Sequence, residues 1–200
     1  MSQQAFMTNP QQIKEDLAFV ASAVRRQDRT SGVPVIYFLW AIVVGVGFAL
    51  SDFRPAWSGI YWLVVGIPGG LLSWYLGARA SKRSGLSDSQ LGCRIGLHWG
   101  IAGVGFLLAA LPMVMKRVDP ATGASYYLLL AGLAYAFAGA HFERPLLWSG
   151  LIMLAGYAAL TVFTIPYVWT ATGAIIAVSL VWAGISCRAR RPVNAQNERA

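Results

Sequence analysis

The sequence predicts an all-α, polytopic membrane protein: six transmembrane helices preceded by a cytoplasmic amphipathic helix. Three observations carry that prediction. Fifty-six per cent of the 200 residues are hydrophobic and only 12% are charged, against about 25% charged in an ordinary soluble domain. The apolar residues fall in long runs, each close to the roughly 20 residues that a helix needs to cross a hydrocarbon core about 30 Å thick. The basic residues fall between those runs and alternate in density from one connection to the next, the pattern of a chain that crosses a membrane repeatedly.

The first span is expected over 33–50, VPVIYFLWAIVVGVGFAL. The second falls at 57–78, the third at 95–115 and the fourth at 124–141. The last apolar stretch, Leu146 to Ser186, is too long for one crossing. It divides at Thr164-Ile165-Pro166-Tyr167, because proline resists helix interiors. Tyr167 and Trp169 then suit an interfacial aromatic belt. The fifth and sixth spans become 146–163 and 168–187, and 188–200 form a basic tail.

Charge sets the orientation. Thirteen Lys and Arg lie before the first span, after the second, before the fifth and in the tail, while only Arg54, Lys116 and Arg117 occupy the alternate connections. Cytoplasmic connections are the ones enriched in Lys and Arg, so both termini are expected in the cytoplasm of a multi-pass plasma (inner) membrane protein, with a bacterial source favoured by the short loops. The net charge of +8 has the same origin. No nucleic-acid-binding motif accompanies it, and nucleic acid is not an expected partner. Cys93 and Cys187 face the reducing side and are expected as thiols. Residues 1–32 lack a signal-peptide core and cleavage site, so the first apolar run doubles as the insertion signal.

Within residues 1–32, Asn9-Pro10 reads as a helix start with Gln12 placed for a capping box. Ile13, Leu17, Val20 and Val24 fall at i, i+4, i+7 and i+11 on one face. That face either covers the cytoplasmic mouth of the bundle, lies among headgroups, or docks a cytoplasmic protein. The mixture of Lys14, Glu15 and Asp16 on the polar side is unlike a basic lipid-binding helix and favours a protein partner.

Small residues mark packing faces. Gly92, Gly96, Gly100 and Gly103 in the third span, Gly132, Ala136 and Ala140 in the fourth, and Gly173, Ala177 and Gly184 in the sixth let helix backbones approach. They are expected to be internal seams, with a homodimer seam as the alternative. The second span carries Gly66-Ile67-Pro68-Gly69-Gly70 near its middle. This is a proline kink or, with Pro68, Gly69 and Gly70 as pore positions, a broken transporter helix. A faint repeat relates Phe53-Arg54-Pro55-Ala56-Trp57-Ser58-Gly59 to Phe142-Glu143-Arg144-Pro145-Leu146-Leu147-Trp148-Ser149-Gly150. It would make two inverted three-helix halves, although helix starts at a membrane interface favour the same residues.

Ionisable residues at membrane depth are functional candidates by default. They are His98, one turn into the third span, and His141 and Glu143 at the end of the fourth; Cys93 and Cys187 lie at the same level. No ligand spacing points to a metal. Asp52 and Asp119 lie beside Arg54, Lys116 and Arg117 and read as ordinary loop pairing. The chain holds no nucleophile elbow, zinc-protease helix or phosphate loop. No catalytic residue, cofactor or metal is therefore assigned. The expected function is a non-enzymatic regulatory, anchoring or partner-binding membrane component. A small transporter or channel is the alternative and an intramembrane enzyme the third reading.

Overall fold

The computed structural model describes residues 11, 13–18, 33–83, 89–163 and 165–196. The chain is an all-α polytopic membrane protein with six helices long and apolar enough to cross a bilayer, and no strand occurs among the described residues. The first span is α1 (Pro34–Phe53). The second consists of α2 (Pro55–Tyr61), a π-helical turn (Trp62–Gly66) and α3 (Ile67–Arg83). The third is α4 (Ser89–Val114), the fourth α5 (Pro120–His141), the fifth α6 (Arg144–Val162) and the sixth α7 (Val168–Gln196). The division of the last apolar stretch falls where Pro166 requires it.

The chain separates into two compact units, residues 1–31 and 32–200. In the first, Gln11 and residues 13–18 are helical, with Ile13 43% and Leu17 63% exposed. Gln12, Val20 and Val24, and the Asn9-Pro10 start, lie outside the described residues.

Local chemistry sets the helix ends of the second unit. Proline occupies the first or second position of α1, α2, α5 and α6, where the N–H it lacks would have no helical partner. Asp119 caps α5 and accepts from the Thr122 amide (3.0 Å) and hydroxyl (2.6 Å). Those bonds, the side-chain one foremost, hold its carboxyl below the usual carboxylate range. After α4 the chain closes a Schellman turn, with Lys116 N–H donating to Met113 O and Arg117 N–H to Pro112 O. Lys116 adopts the left-handed conformation this turn demands, at φ 55°, a role usually taken by glycine.

Four spans make the core. α1 packs along α7, α5 along α6, and α6 and α5 both against α7. In lipid no hydrophobic force joins helices, so close backbone approach and hydrogen bonds must do so. Both appear at the seams. Between α5 and α6, a Cβ on Gly139 would land on the Leu147 backbone, and one on Gly150 on the Ala136 amide nitrogen. Between α1 and α7, a Cβ on Gly173 would lie 2.8 Å from Phe48 Cβ and one on Gly45 3.6 Å from Ala177 Cβ. Gly184 lies against the Phe38 ring. The expected seams of the fourth and sixth spans therefore form, through Gly132, Ala136, Gly173, Ala177 and Gly184. Ala140 is exposed and lies off its seam.

The third-span seam is a correction. A Cβ on Gly92, Gly96, Gly100 or Gly103 would meet nothing within 4 Å. α4 touches α5 through a neighbouring face bearing His98, Trp99, Ala102, Gly105, Phe106 and Met113. The glycine spacing identified a face of the helix correctly, but spacing alone does not name the neighbour. The second span lies at the periphery too: 6% of its apolar window is buried and none of the third span's, against 28–44% for the other four.

The two halves are not packed alike. Pro145, Leu146, Ser149 and Gly150 are buried, whereas Pro55, Ala56, Trp57 and Gly59 in the matching segment are exposed. The fifth and sixth spans pack together, whereas the second and third make no comparable contact among the described residues.

Two predictions follow from these contacts. Gly150→Val should cost about 2 kcal/mol or more by overpacking, read as a lower thermal midpoint in detergent, while Gly100→Ala should be neutral or stabilising by up to about 1 kcal/mol. The Asp119 cap contributes stability above the unfolded carboxylate pKa and loses it as pH falls through the lowered native value. Wild type and Asp119→Ala should therefore differ in thermal midpoint at neutral pH and converge at acid pH.

Candidate functional site

The richest polar cluster sits where the start of α1, the start of α6 and the end of the apolar part of α7 meet. Glu143 precedes α6 as its N-cap, yet its side chain makes no cap bond to that helix. Its Oε2 instead accepts from the Tyr37 hydroxyl (3.0 Å) and from the Cys187 thiol (3.5 Å). Tyr37 is buried and Cys187 is 2% exposed. One carboxylate oxygen thus joins three spans in a low-dielectric setting, where a hydrogen bond to a charged acceptor is strong. Tyr37 carried no sequence signal: it is one aromatic in an apolar run.

His98 lies one helix away. Its Nε2–H donates to Ala134 O (3.0 Å), since a carbonyl can only accept. Its ring meets Trp99 and Phe142 edge-on, with centroids 5.1 and 5.6 Å apart. Phe142 precedes Glu143 in sequence, so His98 borders the cluster through an aromatic ring. His141 is exposed and its Nδ1–H donates to Phe137 O in its own helix (2.8 Å). Cys93 is exposed, and both cysteines are thiols. Among the described residues, no three His, Cys, Asp or Glu side chains are grouped to hold a metal ion.

The opposite end of the bundle holds a second carboxylate. Asp52, at the end of α1, accepts from the Thr170 amide and hydroxyl, both at 2.7 Å. Thr170 lies in the first turn of α7, so Asp52 caps that helix from another span and satisfies an N–H that has no partner within its own helix. Tyr167, at φ 59°, turns the chain into α7 and stacks on Phe53. Asp52 and Asp119 are thus helix caps, which corrects their reading as loop pairs.

The second-span break is a π-helical turn followed by proline. Pro68 is exposed, Gly69 is buried and Gly70 is exposed. The residues around the break fasten the span to α1. Trp40 Nε1 donates to Ser73 Oγ (2.9 Å), which donates to Gly69 O (2.8 Å). Tyr61 donates to Val43 O (3.0 Å). The Trp62 ring lies against Gly47 and Phe48. A shallow apolar cleft of about 280 Å³ runs along this junction, lined by Leu50, Trp57, Ile60, Tyr61, Val64 and Val65. Pro68, Gly69 and Gly70 are not brought to His98 or Glu143 by any described contact.

The interior between the ends is apolar. Leu128, Met153, Leu180 and Ala183 are fully buried. The buried hydroxyls serve the backbone: Ser149 donates to Ser179 O across α6 and α7 (2.9 Å), and Ser179 donates to Ile175 O (2.7 Å). Thr172 alone has a buried hydroxyl with no partner among the described residues.

Comparison with protein-family models, curated proteins and solved structures finds no match, so function is argued from these residues.

Removing the Tyr37 hydroxyl with Tyr37→Phe should cost about 1–2 kcal/mol. Much of that loss should be absent in a Glu143→Gln background, the coupling being read by a double-mutant cycle. Thr172→Val removes an unpaired buried hydroxyl at near-constant volume and should be neutral or raise the thermal midpoint.

Proposed function

We propose that the protein is a non-enzymatic integral membrane component, whose four-span core anchors a partner-binding N-terminal segment at the cytoplasmic face of the plasma membrane. The observation that carries this reading is the apolar centre of the core. The hydroxyls of Ser149 and Ser179 are used on backbone carbonyls, and leucine, methionine and alanine fill the space between α1, α5, α6 and α7. A hydrophilic solute needs a series of polar groups along its route. The excess of thirteen basic residues over three supports cytoplasmic termini. The exposure of Ile13 and Leu17 supports a docking face there for a cytoplasmic protein.

A transporter or channel is the second reading, and the π-helical turn beside Pro68 favours it. Such turns recur at functional sites, and broken helices bind solutes in several carriers.

Two experiments separate these readings. In cells lacking the gene, a chain without residues 1–30, or one carrying Ile13→Asp with Leu17→Asp, should insert and fold yet fail to restore the lost phenotype. Full restoration would remove the docking role. In proteoliposomes, the purified protein should leave the permeability to a broad solute panel unchanged. A flux altered by Pro68→Ala or His98→Ala would establish transport instead.

A further inference from the structure

Arg54, Lys116, Arg117 and Arg144 each stand within three residues of Asp52, Asp119 or Glu143 in the chain. The end of the second span differs. Arg79, Lys82 and Arg83 belong to the last turns of α3, and no acidic residue occurs between Asp52 and Asp88. Arg79 donates to the Tyr75 hydroxyl over 3.4 Å. Neither Arg79 nor Lys82 pairs with a carboxylate among the described residues. That single long bond leaves most donors of the guanidinium for another acceptor.

These cations continue an apolar stripe. At 100° per residue, Leu71, Tyr75, Arg79 and Lys82 fall within about 80° of arc on α3. Gly69 and Ser73, which lie against Trp40 of α1, are on the opposite side of the helix. All four stripe residues are exposed, and Trp74 on its flank is 77% exposed. From Leu71 to Lys82 the stripe rises about 16 Å, close to half of a hydrocarbon core about 30 Å thick. It therefore spans one leaflet, with leucine at depth, a phenol and an indole at the belt, and two cations above them. The chemical order is that of a phospholipid. Arg79 stands one turn before the end of α3, so an anion beside it meets the flank of the helix and not its terminal carbonyls.

We propose that this face of α3 seats one anionic phospholipid, its phosphate between Arg79 and Lys82 and an acyl chain along Leu71. Charge complementarity selects the occupant. The guanidinium fork matches two phosphate oxygens, and the ammonium adds a point charge. The Tyr75 hydroxyl accepts from Arg79 and keeps its own proton to donate to the headgroup. A zwitterionic lipid would bring a quaternary ammonium toward the same two cations and lose part of the attraction. The apolar and aromatic residues beside the cations, on a span with 6% of its apolar window buried, suit a lipid neighbour. The seat uses residues of one span, so it stands apart from the docking role of residues 1–31.

Lipid retention by the full-length protein tests this. The protein is reconstituted in vesicles of equimolar phosphatidylglycerol and phosphatidylcholine, extracted in mild detergent, and weighed with its bound lipids by native mass spectrometry. Wild type should retain phosphatidylglycerol over phosphatidylcholine by about fivefold or more, the scale of attraction of one or two basic residues at a membrane surface. High salt during extraction should lower that ratio. Arg79→Gln/Lys82→Gln should bring it close to one, and Tyr75→Phe should lower it partway. Arg144→Gln, at an exposed arginine of α6, should leave it unchanged. The substituted side chains are exposed, so the variants should fold, as a monodisperse elution profile would check. Equal retention of the two lipids by wild type would overturn the proposal without reference to any variant. So would an undiminished ratio in Arg79→Gln/Lys82→Gln, or an equal fall in Arg144→Gln, which would show diffuse attraction to the basic surface and no seat on α3.

Discussion

The first and sixth spans are fastened at both ends by carboxylates that reach across the chain, and the rest of the bundle is built on that pair. At one end Asp52 accepts from the first turn of α7. At the other, Glu143 accepts from Tyr37 of α1 and Cys187 of α7. Between them Gly45, Gly173 and Gly184 keep the two backbones close. A bilayer interior supplies no hydrophobic drive for helix association, so these bonds and close contacts carry the job that apolar burial performs in water. Because Glu143 starts α6, the same carboxylate also positions the fifth span, and α5 follows through Gly139 and Gly150.

What lies outside this framework is held more lightly. The second span reaches α1 through Trp40, Tyr61 and Trp62. The third reaches α5 through His98, Trp99 and Phe106. On both, several glycines meet no neighbour within 4 Å, while a methyl group on Gly139 or Gly150 in the core would strike backbone. The molecule thus divides into a four-span core and two peripheral spans whose apolar windows are little buried.

Much of this arrangement was legible in the sequence, for identifiable reasons. Span number followed from run length and from Pro166, because a bilayer imposes one length on every crossing helix. The seams at Gly132 and Gly173 followed from spacing, since small residues one turn apart must share a face. The same rule placed Gly92, Gly96, Gly100 and Gly103 on one face, but that face meets no neighbour within 4 Å in the single chain: periodicity gives a direction on one helix, and only the tertiary arrangement says what lies in that direction. Glu143 and Cys187 stood out as polar groups at membrane depth. Tyr37 did not, because a tyrosine in an apolar run is also what an interfacial belt or a packed core requires. The trans cap by Asp52 was hidden for a similar reason, its nearest charges in sequence being Arg54 and its nearest partner in space Thr170, 118 positions away.

An anchor of this kind requires that the four-span core be closed to water. Cysteine substituted in turn at Thr172, Ile176, Ser179, Leu180 and Ala183, along the buried face of α7, measures this directly through its rate of alkylation by a small hydrophilic maleimide in intact membranes. A closed core should give labelling no faster than in a membrane-buried control at all five positions. Rapid labelling at successive positions of that face would reveal a continuous aqueous path, contradict the anchor and establish a channel through the core.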